Sequence, residues 1–383
     1  MILIQNGYIK PIVGEDIPCG SVLLGDDGKI VAVGADLTAP EGAQIIDAGG
    51  RLVTPGCVEA HCHVGVKDQI LRWEGMDHNE SVDPITPQMR AIDAFYPMDC
   101  ALAEGLQGGV TTVCTGPGSA NVVGGTFMVV KLAGKRVDKM VLVETAAMKI
   151  AFGENPKNNY GQKSKTPRTR MAVAALLREL LFKAREYMIA KDSGKEPKFD
   201  MKLEAMLPVL RGEIPLKAHA HRADDIFTAI RIAKEFGLKL TLDHCTDGAL
   251  IADELAEENY PVLVGPSFGG KSKPELINKG FETAAVLHKA GLKVCIITDA
   301  GVTPIENLAF CAGRAASVGL PMEEAWKAIT INPAEVIGVA NRVGSLECGK
   351  DADVVIWTAD PLTTVGAQAW KTIVDGKIVY SAE

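Results

Sequence analysis

The feature that most constrains the fold is an alternation of short apolar segments with helical patterns between residues 57 and 330. The apolar segments have the length and residue types of buried strands, and they lie at 57–61, 110–114, 148–152, 216–221, 240–244, 261–265 and 294–299, with 140–143 as a further candidate. The helical patterns lie at 87–107, 168–192, 200–210, 223–236, 249–258, 280–290, 304–318 and 322–330. Roughly eight strand and helix units are typical of an α/β fold of the (β/α)8 TIM-like barrel type. The alternative is a doubly wound open sheet, but its Gly-x-Gly-x-x-Gly turn is absent from the sequence.

Both ends of the chain follow another pattern, in which apolar and polar residues alternate between Gly and Asp turns. This pattern covers the first fifty residues and returns at 352–357 and 371–380, where Asp375 and Gly376 form a hairpin signal. Neither end is long enough to make a stable sheet alone. We therefore predict a composite β-sandwich from residues 1–54 and 342–383, and a barrel domain from residues 55–341.

Composition excludes several classes of protein. The 383 residues carry a net charge of -8, with 47% hydrophobic and 23% charged residues, which is typical of a soluble globular protein. A nucleic-acid partner is not expected, because such proteins concentrate basic residues on one surface. The sequence has no signal peptide and no apolar run long enough for a membrane span, so we predict a cytoplasmic protein with no membrane partner. The sequence leaves open whether it is a homo-oligomer.

Histidines mark the ends of the predicted strands. His61 and His63 close the first strand of the barrel, and their spacing places both rings on the same face. His219 and His244 end two later strands, and Asp299 ends the last one. The carboxyl ends of barrel strands carry the functional residues of this fold. Since imidazoles with one carboxylate suit zinc, the sequence predicts a divalent metal site, most readily for zinc.

Two further residues follow this set, and one histidine lies apart from it. His221 lies two residues after His219, so it shares its face if the strand continues and could bind substrate. Arg222 follows, where an arginine could hold a substrate carboxylate or simply be solvated. His78 lies in a polar loop, and we interpret it as structural or solvated.

Two long motifs resemble those of the amidohydrolase superfamily. Residues 49–65, GGRLVTPGCVEAHCHVG, are similar to the Pro-Gly turn and His-x-His of that superfamily. Residues 343–357, VGSLECGKDADVVIW, resemble the segment that returns the chain to its β-sandwich. The segments 217–221, 243–246 and 298–301 most resemble imidazolonepropionase-like enzymes and related zinc carboxypeptidases. The resemblance implies that the four strand-end histidines and the final aspartate bind metal or act beside it.

The resemblance also raises the question of a second metal, which would need a bridging ligand from a middle strand. Such a ligand is either a carboxylated lysine or a glutamate, and the segment AMKIAFGENP offers both, in Lys149 and Glu154. On a regular strand these residues face opposite sides. We favour Glu154 because it is predicted to lie at the strand end, with Lys149 as the alternative. The chain would then hold one or two metals.

A metal site of this kind activates water. Asp299 is the candidate general base, and His244 is a second catalytic candidate beside it. The predicted function is hydrolysis of a C–N bond in a small-molecule amide, peptide or cyclic amide. The alternative is a metal-dependent deaminase of a heterocycle, and ammonia release would distinguish the two. A metal-free binding protein is a third possibility, but the expected ligands are all present.

Overall fold

The computed structural model describes residues 1–70 and 73–382. Its strands are β1 (Ile2–Ile9), β2 (Ile17–Leu24), β3 (Ile30–Gly34), β4 (Gln44–Asp47), β5 (Leu52–Pro55), β6 (Cys57–Cys62), β7 (Val110–Thr115), β8 (Val123–Lys131), β9 (Val141–Ala151), β10 (Leu216–Ala220), β11 (Leu240–His244), β12 (Val262–Val264), β13 (Val294–Ile296), β14 (Val354–Trp357), β15 (Ala369–Val374) and β16 (Lys377–Ser381). Its α-helices are α1 (Cys100–Gln107), α2 (Glu154–Gly161), α3 (Arg170–Asp192), α4 (Met201–Leu210), α5 (Ala223–Phe236), α6 (Ala252–Glu258), α7 (Glu282–Lys289), α8 (Leu308–Ala316), α9 (Met322–Lys327) and α10 (Ile331–Val336).

The strands β6 to β13 form an eight-stranded sheet in chain order. Because β13 also contacts β6, the sheet curves into a nearly closed barrel, as the TIM-like prediction required. Seven of these strands are buried along their length, as expected where helices cover the outer face of a sheet, whereas β9 is buried only from Ala147 onward. Apolar residues of the strands and helices therefore form one large core around the barrel.

The predicted strand and helix repeat is wrong at one place. Strand β8 runs antiparallel to both of its neighbours, β7 and β9, and no α-helix separates these three strands in the described chain. Part of the Gly-rich segment at 116–126, which resembles a flexible loop in sequence, belongs to β8. The candidate strands 140–143 and 148–152 are both largely covered by the single long strand β9.

Several predicted helices are also shorter than expected, most of all the one at 87–107. The pattern at 87–107 yields α1 only from Cys100 onward, because the side chain of Asp99 accepts a hydrogen bond from the Ala101 N–H and caps the helix there. The pattern at 322–330 ends with α9 at Lys327. By contrast, α5 has the predicted bounds of 223–236. It ends at Gly237, which has a left-handed φ of 69°.

Both ends of the chain join in a second eight-stranded sheet, in the order β16, β15, β14, β5, β1, β2, β3, with β4 paired to β1. The apolar faces of these strands pack into a core of their own. The predicted boundary at 54 falls within β5, and the division of the chain into residues 1–54 with 342–383 and residues 55–341 stays a prediction. None of the helices in the described ranges is long and apolar enough to span a membrane.

A buried ion-pair cluster links the two sheets. Lys131 ends β8 of the barrel, and its Nζ lies 2.7 Å from Asp351 Oδ2 and 2.9 Å from Asp353 Oδ1. It also contacts Asp375 in the turn between β15 and β16. Arg342 Nη2 lies 2.8 Å from the same oxygen of Asp351. Lys131 is therefore the main cationic partner of Asp353, whereas Asp351 has a second one.

Candidate metal centre

The predicted ligands all lie at the carboxyl end of the barrel. His61 lies in β6 and His63 follows it, His219 lies in β10, and His244 is the last residue of β11. Asp299 lies three residues after β13. All five side chains are buried. The structure therefore brings together the residues that the sequence places at separate strand ends.

Local backbone conformation helps to direct two of these side chains. His244 has a φ of 73° and Asp299 a φ of 52°, both in the left-handed region that residues other than glycine seldom adopt. Such a conformation costs roughly 1–3 kcal/mol per residue. In both cases the left-handed φ departs from extended backbone geometry. The side chain therefore need not follow the alternating directions of a regular strand at the mouth of the barrel.

The candidate metal-binding atoms lie close to Asp299. Its Oδ1 lies 3.1 Å from His63 Nε2 and 3.5 Å from His61 Nε2. Ligand atoms of His61, His244 and Asp299 all lie within 4.8 Å of one another. His244 Nε2 is buried, and it has no hydrogen-bond partner among residues 1–70 and 73–382. This spacing is close enough for a single cation to contact His61, His244 and Asp299.

The hydrogen bond made by Nδ1 of each ring determines whether Nε2 carries a proton or a lone pair. His63 Nδ1 lies 2.8 Å from the Gly116 carbonyl oxygen, and His244 Nδ1 lies 2.7 Å from that of Gly265. His61 Nδ1 lies 2.7 Å from Asp243 Oδ2. Since carbonyl and carboxylate oxygens only accept, each Nδ1 must carry the proton, and each Nε2 of a neutral ring is an acceptor.

Burial keeps the rings of His61 and His244 neutral. It lowers the pKa of His61 well below its ordinary value, helped by the charges of Lys149 and Lys217. Burial also lowers the pKa of His244. The Nε2 lone pairs therefore face one another and the Asp299 carboxylate, an arrangement of acceptors that a cation would stabilise. A set of imidazoles with one carboxylate fits zinc or another divalent transition metal.

A second group of possible metal-binding side chains shares His244 with the first. Ligand atoms of His219, His221 and His244 lie within 4.8 Å of one another, and the rings of His221 and His244 stack with centroids 4.8 Å apart. Asn155 Nδ2 lies 3.3 Å from His219 Nε2. The buried Glu275 carboxylate lies 3.7 Å from His221 Nε2. These contacts place His221, predicted to bind substrate, beside the predicted metal ligands His219 and His244.

The two candidates for a bridging ligand occupy different places. Lys149 lies in β9, fully buried, with its Nζ 3.3 Å from His61 Nε2. Burial lowers the pKa of its ammonium group to about 8. Glu154 begins α2 instead of ending the strand, and its backbone N–H donates to Glu275. The described contacts join the side chain of Lys149, and not that of Glu154, to a predicted ligand.

The structure also locates two other residues that the sequence analysis singled out. Arg222 is directed to Asp224, with an Nε to Oδ1 distance of 3.0 Å, and its side chain is 48% exposed. Its assignment to the substrate stays a prediction without a supporting contact. His78, interpreted as structural or solvated, lies beside the site, with its ring centroid 5.6 Å from that of His63.

Sequence reasoning missed several residues that support the ligands. Asp243 holds His61, and Glu59 binds the segment before Asp299 through the backbone and hydroxyl of Thr298, at 2.8 and 2.6 Å. Burial raises the pKa of Glu59 to about 7. The available signal was a carboxylate within an otherwise apolar buried strand, because such a charge is costly without a partner.

Comparisons with known proteins show what the whole chain is similar to. The sequence model of the Amidohydrolase family matches residues 52–379. A crystal structure of an amidohydrolase from Thermotoga maritima MSB8 is 40% identical, with a TM-score of 0.96 and 100% of both chains covered. Amidohydrolase tasK of Hapsidospora irregularis is 29% identical over 98% of this chain. The chain spans only 42% of the length of tasK.

The resemblance to imidazolonepropionases is also found among the relatives. An imidazolonepropionase of Bacillus velezensis is 28% identical over 87% of this chain and 82% of that protein. With a family match that covers most of the chain and a solved relative of the same length and fold, the chain belongs to the amidohydrolase family, a group of hydrolases acting on carbon–nitrogen bonds.

Proposed function

We propose that the chain is a metal-dependent hydrolase that cleaves the C–N bond of a small-molecule amide, peptide or cyclic amide. The observation that carries the proposal is the convergence of buried acceptors, in which His61 and His63 Nε2 lie 3.5 and 3.1 Å from Asp299 Oδ1. Imidazole rings and a carboxylate in such proximity favour a divalent cation, for which we propose zinc. His219 and His244 complete the proposed ligand set.

Asp299 is the proposed general base. When bound, the cation supplies Lewis acidity, which acidifies water and polarises a substrate carbonyl. The Asp299 carboxylate takes a proton from the attacking water and returns it to the leaving nitrogen, as a base beside the reacting atoms can do. His244 Nε2, buried and free of partners in the described chain, is available to the cation or to the substrate.

We propose Lys149, in place of Glu154, for the bridging position of a second metal. The support is its 3.3 Å approach to His61 Nε2 and its lowered pKa of about 8, which makes the neutral amine accessible near neutral pH. A neutral amine is the form that reacts with carbon dioxide to give a carboxylated lysine. His221 is the better supported substrate contact, since it stacks on His244 while Arg222 pairs with Asp224.

The proposal is tested by metal analysis together with a hydrolysis screen over N-acyl amino acids, dipeptides and cyclic ureides. We expect stoichiometric zinc in the purified protein and turnover of at least one class. Asp299→Asn should lower kcat by at least about 100-fold, which is the usual contribution of a general base. Asp224→Asn is the matched control, because Asp224 pairs with the half-exposed Arg222.

Three outcomes would contradict the proposal. A protein that binds no divalent metal would exclude the metal-dependent mechanism. Activity that survives Asp299→Asn at the level of the Asp224→Asn control would exclude the assigned base. Release of ammonia from an amino-substituted heterocycle, without amide or peptide cleavage, would identify a deaminase instead.

A further inference from the structure

His61 differs from the neighbouring predicted ligands in what holds its ring. His63 and His244 donate from Nδ1 to the backbone carbonyls of Gly116 and Gly265. His61 donates instead to a carboxylate, Asp243, at 2.7 Å. A carboxylate partner makes the imidazole a stronger electron donor than a neutral carbonyl does, because it stabilises the positive charge that develops on the ring.

Asp243 is built into the barrel interior. It is fully buried, and Thr241 donates to its Oδ1 at 2.9 Å. Lys217 Nζ lies 3.4 Å from Oδ2, the same oxygen that accepts from His61. A buried carboxylate needs partners of this kind to remain charged. Lys217 and Thr241 therefore fix the orientation of the Asp243 carboxylate, and its shortest contact of the three is the one to His61.

The backbone explains how this residue and its neighbour both serve the site. On a regular strand the side chains of adjacent residues point to opposite faces. Asp243 continues the register of β11 opposite His219. His244 keeps the register, opposite Ala220, but its φ of 73° departs from the extended backbone of a regular strand. Asp243 can therefore support one ligand from within the barrel while His244 serves at its mouth.

We propose that Asp243 is a positioning residue that sets the metal affinity of the site through His61. It keeps the proton of His61 on Nδ1, so that the Nε2 lone pair stays directed at the Asp299 carboxylate, 3.5 Å away. Supporting partners of metal-bound histidines are worth roughly 10–100-fold in metal affinity. The proposal rests on the metal site proposed above and is independent of the substrate.

The test is a double-mutant cycle read out as the zinc dissociation constant, measured by competition with chelators of graded affinity. Asp243→Asn is introduced into the wild-type protein and into a His61→Gln background. We expect about 10–100-fold weaker zinc binding in the wild-type background. In the His61→Gln background we expect less than about a threefold effect, because a residue that acts only through His61 has nothing left to position.

Thr112→Val is the matched control, since Thr112 is a buried strand threonine whose hydroxyl has no hydrogen-bond partner among the described residues. It should change zinc affinity by less than about threefold. If circular dichroism shows that Asp243→Asn is unfolded, Asp243→Ser replaces it in the same cycle. An equal loss of affinity in both backgrounds, or no loss in either, would overturn the proposal. Absence of zinc binding by the wild-type protein would instead overturn the proposed function.

Discussion

Gly265 occupies a position where a single methyl group should damage the metal site. Its carbonyl oxygen holds His244 Nδ1 at 2.7 Å. A Cβ built on Gly265 would lie 2.0 Å from the backbone oxygen of Ile297, and the φ of 144° is one that L side chains rarely adopt. Ile297 is two residues before Asp299. Gly265→Ala would therefore strain the contact between the backbone that holds His244 and the backbone that leads to Asp299.

The size of the effect follows from these distances. Observed Cβ contacts are seldom below 3.0 Å, whereas this one would be 2.0 Å. One of the two backbone segments must therefore move by about 1 Å, enough to break a hydrogen bond whose range ends near 3.2 Å. Loss of the support for His244 should weaken zinc binding by about 10–100-fold. Movement of Ile297 instead would displace Asp299, with a loss of the same order.

The assay compares zinc dissociation constants by chelator competition, with thermal unfolding of the metal-free protein as the second measurement. Gly265→Ala should also lower the free energy of unfolding by roughly 1–3 kcal/mol, because of its backbone strain. Gly270→Ala is the matched control in the same loop, where a Cβ would meet nothing within 4 Å. Zinc affinity within threefold of wild type in Gly265→Ala would refute the argument that this carbonyl positions His244.

Two further predictions concern buried charges. Lys149→Met should reduce the amount of bound metal or weaken metal binding at least about tenfold, while Glu154→Gln should not, because of the two only Lys149 contacts a predicted ligand. Elemental analysis of both variants checks this ranking. A larger loss of metal in Glu154→Gln would favour Glu154 instead. Lys131→Met should cost about 3–5 kcal/mol near pH 8, or about 4–6 °C in unfolding midpoint, since it leaves Asp353 buried without its ammonium partner. Burial already raises the pKa of Asp353, so the folded state binds that proton more tightly than the unfolded state and acid restores stability. Calorimetry should therefore show a smaller deficit at pH 5 than at pH 8, and a deficit independent of pH would contradict this account.

The barrel could be predicted from sequence wherever strands and helices follow one another in regular order. The helix at 223–236 was predicted at its observed bounds because it has a strong amphipathic pattern and ends at Gly237. Strand β8 was missed because Gly124 and Gly125 interrupt its apolar residues and are typical of loops. Its antiparallel direction had no sequence signal, since the neighbouring segments were expected to repeat a parallel unit.

The predicted ligands could be identified because each lies at or near the end of a recognisable strand. The bridging residue could not, since the choice depended on where β9 ends. That strand ends at Ala151, and Glu154 begins the following helix. Lys149 is instead directed toward His61 from within the strand. A shift of a few residues in one boundary was enough to favour the other candidate.

The supports of the imidazoles explain why the rest of the site was not visible in the sequence. His63 and His244 are held by backbone carbonyls, which every residue possesses and which therefore leave no signature in residue type. Of these three rings, that of His61 alone is held at Nδ1 by a side chain of the described residues, that of Asp243. It follows that a side-chain substitution can tune the donor strength of His61 directly. The other two rings can be altered only by moving the backbone, as substitution of a supporting glycine would do.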